Sequence, residues 1–115
     1  DSRDVEDAIK AGDEKAALAQ DMFVSRIANY IANYNNQLNG ADVIVLTAGI
    51  GENSKDTRRD ILAKIESLGV KLDASANDFR GEFRCISTED SKIPVYVVPT
   101  NEELMIAIDT YELIK

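Results

Sequence analysis

"VIVLTAGIGENS", residues 43–54, is the stretch on which the reading of this chain turns. Five apolar or β-branched residues run into two glycines two apart, and the composition then becomes polar and helical. Bare backbone at the end of a buried strand has two uses. It can cradle a phosphate or nucleotide, because glycine lets the chain approach a ligand closely and reach positive φ without a steric penalty. It can equally be a plain strand-to-helix turn. A lone Gly-x-Gly does not separate the two.

Outward from this stretch the pattern is regular. Asp42–Thr47 reads as a strand apolar on both faces, as a parallel, helix-covered strand should be. Upstream, Ala16, Ala19, Phe23, Ile27, Ile31, Tyr34 and Leu38 recur at steps of three and four, predicting an amphipathic helix over 13–38. Asp13 is its N-cap, and Asn39 and Gly40 supply its left-handed end. A short helix over 4–11 precedes it and stops near Gly12. Downstream, Ser54 or Asp56 caps a helix with Ile61, Leu62, Ile65 and Leu68 as its apolar stripe, closed by Gly69. "VKLD" is a very short strand at most, "ASANDFRG" is loop, "EFRCIS" an edge strand and "TEDSK" a turn. "PVYVVP", residues 94–99, is a second buried strand, and "TNEELMIAIDTYELIK" a terminal helix. The order predicts an α/β layered fold, a sheet covered by helices, in one domain over 1–115.

Bulk composition narrows the function classes. A net charge of −8, with 21 acidic and 13 basic residues, argues against a nucleic-acid surface. No apolar run approaches the length of a membrane-spanning helix. The single cysteine, Cys85, fits a reducing cytoplasm and is expected as a small buried thiol. There is no histidine, so the usual general base and the commonest zinc ligand are missing. The chain begins at Asp1 rather than Met and is read as a processed chain or a fragment.

Two loops follow buried strands, "TAGIGENS" and "PTNEE", and open α/β sheets bind ligands at the carboxyl ends of their strands. If both strands share one parallel sheet, the two loops leave from a common edge. Strand, Gly-x-Gly, helix and then Asp73 imitates a dinucleotide fingerprint, which leaves an NAD-binding module open as a reading. Ser54 replaces its third glycine, however, and a Walker-type P-loop lacks its Gly-Lys-Ser/Thr. In the second loop, Thr100 and Glu103 have the spacing of a capping box. Glu102 is left over, and a single carboxylate can hold Mg²⁺ through its water shell when phosphates supply the rest. It can also simply complement the helix dipole.

"DSRDVEDAIKAGDEKAALAQDMF", "TAGIGENS", "RRDILAKIESLGVKLD" and "VPTNEELMIAIDT" together resemble the C-terminal part of the acetate and propionate kinases, in order and over essentially the whole chain. The resemblance implies part of an actin-like ATPase (RNase H-like) domain. It implies ATP or ADP as ligand, Mg²⁺ as cofactor, and transfer of phosphate between ATP and acetate or another short carboxylate. By the same resemblance Asp1, Arg3, Gly49, Ile50 and Asn53 contact the nucleotide, Glu102 is the metal-associated carboxylate, and the enzyme is a homodimer through this region. Ser2 stands where the family has an aromatic or large apolar residue, and Ala48 where many members have glycine. The family's catalytic Asp, its arginines, its His and its N-terminal Asn are expected in sequence preceding Asp1. The 115 residues alone are therefore expected to be inactive.

Overall fold

The computed structural model describes residues 2–47 and 54–99, with side chains from Asp4 onward. Two helices come first, α1 (Ser2–Lys10) and α2 (Glu14–Gln37). Asp13 caps α2 by accepting the N–H groups of Lys15 and Ala16, both at 3.0 Å. Asn39 at φ 54° and Gly40 at φ 110° end it, the left-handed turn that those residue types predict. Strand β1 (Ile44–Leu46) follows. Helix α3 (Lys55–Ala63) begins at the Ser54 N-cap and continues into a 3₁₀ turn over Glu66–Leu68. Gly69 closes that turn at φ 86°, where a Cβ would stand 2.6 Å from the Lys92 Cβ, so backbone and space both demand glycine. Strands β2 (Arg84–Cys85) and β3 (Val95–Val97) complete a three-stranded sheet in the order β1–β3–β2.

β3 pairs parallel with β1, Ile44 opposite Val95 and Leu46 opposite Val97, and antiparallel with the edge strand β2. The side chains of Ile44, Leu46, Val95 and Val97 are buried with Ile86 and Ile93, and they meet Val24 and Ala28 of α2, Ile61 and Leu62 of α3, and Ile65 just beyond it. This is the core: one sheet face packed on two helices. The opposite face carries Val45, Tyr96 and Cys85 in register.

Three expectations are corrected here. β1 is not covered on both faces among the described residues, because Val45 is 42% exposed. The thiol of Cys85 lies on that open face and is half-buried, 3.4 Å from the Ser87 hydroxyl, rather than fully buried. The inner face of α2 is rotated from the expected stripe. Val24 and Ala28 are buried, with Ile27 and Ile31 packed beside them, whereas Phe23, Tyr34 and Leu38 are exposed. Helix α2 carries more apolar side chains than one buried face holds, Leu18, Met22, Tyr30 and Tyr34 being exposed, so periodicity alone names no unique face; the small Ala28 and Val24 face the core. "VKLD" supplies only one bridge, Leu72 to Ser87. The terminal helix and the Thr100–Glu103 capping box lie outside the described residues.

Candidate functional site

The parallel register decides where the two candidate loops start. Leu46 and Val97 are paired at the carboxyl ends of β1 and β3, so the segments beyond Thr47 and Pro99 leave the sheet at one edge. Gly49, Ile50 and Asn53 follow the first strand and Glu102 the second. These four residues and Asp1 lie outside the described residues, and Arg3 is described only as backbone of α1. Through flanking residues the structure makes two separate links, Leu46 beside Val97 at the ends of β1 and β3, and Ser54 against Glu6 of α1.

Ser54 directly follows Asn53 and is 7% exposed. It is the N-cap of α3, its side chain accepting the Thr57 N–H at 3.2 Å. The Ser54 hydroxyl donates to the carboxylate of Glu6 in α1. The Ser54 and Thr57 hydroxyl oxygens stand 3.0 Å apart, and the Gln20 side-chain amide of α2 donates to Thr57 Oγ1 at 2.9 Å. A hydroxyl has one proton to give. With the Ser54 proton on Glu6, the Thr57 proton points to Ser54, and a single directed chain runs Gln20, Thr57, Ser54, Glu6. Three helices are tied at the point where the glycine loop enters α3. Beside this knot a cleft of about 420 Å³ opens, lined by Glu6, Lys10, Ser54, Lys55, Asp78 and Arg80 among others.

On the other flank of α3 lies a buried cation. Arg58 is fully buried. Its Nε donates to Asn77 Oδ1 at 2.7 Å, and its Nη2 to the carbonyls of Asn77 and Phe79 at 2.7 and 2.9 Å. Asn77 in turn donates through Nδ2 to the Lys55 carbonyl at 2.9 Å. Two guanidiniums stand over the Phe79 ring, that of Arg58 4.3 Å and that of Arg84 4.6 Å from its centroid. Burial, and after it the charge of Arg84, lowers the pKa of Arg58. An arginine begins so far above neutrality that it stays a cation.

Neither the Arg58 clamp nor the Gln20–Glu6 chain was anticipated from the sequence, apart from Ser54 as a cap. One signal was present. Arg58, Ile61, Leu62 and Ile65 share the inner side of α3 and its exit, so a charge stands in an apolar stripe, where a solvated side chain does not belong.

The dinucleotide pattern is not built. Asp73 caps a turn, accepting the Ala76 N–H at 3.1 Å, and Val70–Asp73 adds no parallel strand beside β1. Among the described residues no group of three or more carboxylate or thiol side chains could hold a metal ion. Likewise, no helix among them is long and apolar enough to cross a membrane.

Known proteins resemble this chain along its whole length. Residues 1–108 match the model of the acetokinase family. Acetate kinase of Clostridioides difficile strain 630 is 52% identical over 115 residues, all of this chain and 29% of that protein. The crystal structure of Porphyromonas gingivalis acetate kinase superposes with a TM-score of 0.85 at 44% identity, covering 100% of this chain and 29% of that one. A propionate kinase from Francisella tularensis superposes with a TM-score of 0.81 at 38% identity, over 93% of this chain and 27% of its own. The chain thus spans about 29% of the length of the curated relatives it matches. The fold is the α/β one of part of an actin-like ATPase domain. The chain belongs to the acetokinase family.

Proposed function

We propose that this chain is the nucleotide-binding C-terminal portion of an acetate kinase, a cytoplasmic enzyme that transfers phosphate between ATP and acetate to give acetyl phosphate and ADP. The observation that carries the reading is the identity of about half of all residues, end to end, with proteins of that name. The parallel register of β1 and β3 supports it, since both candidate loops start from one sheet edge.

In this reading Gly49 lets the nucleoside lie close to the backbone, Ile50 is an apolar wall and Asn53 a polar contact. Asp1 and Arg3 approach the nucleotide from the start of α1. Glu102 is the carboxylate associated with Mg²⁺, which neutralises charge on the phosphates when bound. One carboxylate suffices for such a role, because Mg²⁺ keeps several waters and takes its remaining ligands from phosphate. No residue of this chain is assigned to orient the attacking carboxylate or the transferring phosphoryl group, so the 115 residues alone are taken as one inactive domain.

Helix α2 supports a homodimer. Leu18, Met22, Tyr30, Tyr34 and Leu38 are each more than half exposed, and Tyr30 and Tyr34 stack with centroids 6.3 Å apart. A second reading, a propionate kinase of the same group, is favoured by the likeness to the Francisella protein.

Titrating the full-length protein with Mg²⁺-ADP and with NAD tests the nucleotide assignment. ADP is expected to bind and NAD not; preferential NAD binding would sink the reading. Relative rates on acetate and propionate separate the two kinases. Acyl phosphate made from ATP by residues 1–115 alone would overturn the assignment of inactivity.

A further inference from the structure

We infer that the hydrogen-bonded chain Gln20–Thr57–Ser54–Glu6 fixes Ser54, the residue next to the proposed nucleotide contact Asn53, against α1, making Glu6 and Thr57 positioning residues for nucleotide binding. The inference rests on the nucleotide reading above and goes beyond it, because none of these four side chains is a proposed nucleotide contact.

The geometry behind it is local and specific. The loop that carries Gly49, Ile50 and Asn53 is followed at once by Ser54, which is buried and fixed by three partners. Glu6 sits three residues after Arg3 in α1, close to one helical turn, so the two residues share a face of that helix. A bond from Ser54 to Glu6 therefore sets the distance between the exit of one nucleotide-binding segment and the helix that bears the other. Residues 6 and 54 are 48 apart in sequence, and neither helix capping nor core burial requires this pairing. The N-cap of α3 needs only the Ser54 oxygen to accept the Thr57 N–H. The Ser54 proton is spare, and the structure spends it on α1. Gln20 completes the chain by donating to the Thr57 hydroxyl from α2.

A misplacement of about 1 Å in a binding element is enough to cost affinity strongly. The charge-assisted bond to Glu6 is of the stronger kind. Losing it should weaken nucleotide binding by about tenfold, the equivalent of one such bond.

The test uses the full-length protein, with Glu6→Ala, Glu6→Gln and Thr57→Val. Glu6 is half-buried on a short helix, so its replacement leaves the core intact. In Glu6→Ala the Kd for Mg²⁺-ADP should rise about tenfold, and the KM for ATP with it, while kcat and the KM for acetate stay within about twofold. Glu6→Gln keeps an acceptor for the Ser54 hydroxyl and should recover most of the affinity. Thr57→Val removes the hydroxyl but not the volume and should weaken ADP binding in the same direction. The double variant Glu6→Ala with Thr57→Val should be less than additive, because both break one chain.

A merely structural role predicts a different result: a smaller active fraction, with kcat lowered and the KM for ATP unmoved. That outcome, or unchanged ADP affinity in folded Glu6→Ala and Thr57→Val, overturns the inference and leaves the nucleotide site standing. Wild-type protein that fails to bind ADP at all refutes the nucleotide reading and this inference together.

Discussion

Two loops of this fold are each pinned by a cation, in opposite surroundings. The 73–81 segment is held by Arg58, fully buried, donating to one side-chain oxygen and two backbone carbonyls. The 88–92 turn is held by Lys71, whose ammonium meets Asp90 at 2.7 Å with the two side chains 57% and 70% exposed. At equal contact distance, the exposed anchor is the weaker one. Water screens the exposed pair, and holding two long side chains in one pose costs entropy. Inside the fold, by contrast, the Asn77 side chain is buried, and losing the donor leaves its Oδ1 unsatisfied.

The largest expected effect comes from breaking the buried anchor. Arg58→Ala should destabilise the protein by about 3 kcal/mol, combining an unpaired Asn77 Oδ1 with the cavity left by a fully buried side chain. Urea unfolding gives the number, and a loss under about 1 kcal/mol would erase the contrast between the two anchors. Asn77→Ala sharpens the same side of it. It removes the bonds from Arg58 Nε and to the Lys55 carbonyl, and about 2 kcal/mol is expected.

The exposed anchor should respond to pH instead. The bond from Lys71, then that from Thr88, holds the Asp90 carboxyl below its ordinary value. A carboxyl with a depressed folded-state pKa contributes stability that is present above its unfolded pKa and lost as pH falls through the folded one. An NMR titration should place the Asp90 midpoint below that of an unperturbed aspartate, and Lys71→Ala should return it toward that value. At neutral pH Asp90→Asn should change thermal stability less than either substitution above; an effect equal to that of Asn77→Ala would break the comparison.

Legibility in the sequence followed the range of the interaction. Caps and turns are set by neighbours, and Asp13, Ser54, Asn39, Gly40 and Gly69 all act as their residue types suggest. Strand identities and the parallel pairing could be read from apolar runs separated by a helix. The inner face of α2 could not, because Leu18, Met22, Phe23, Tyr30 and Tyr34 give it a second apolar side that this chain leaves exposed. The polar ties were the least visible. Gln20 and Thr57 are 37 residues apart and Arg58 and Asn77 are 19 apart, and no spacing rule links such pairs. The nucleotide and metal assignments were legible only through family resemblance, since two glycines and a leftover carboxylate fit several chemistries equally.

The strand order has a consequence for how the chain is made. β3 is the middle strand of the sheet but the last of the three in sequence, and both neighbours need it. Among the described residues, β1 and β2 have no strand partner until Val95–Val97 has been made. Contacts that join distant parts of a chain also form slowly. These three strands therefore join in one late step, when the edges of β1 and β2 that face β3 are covered together.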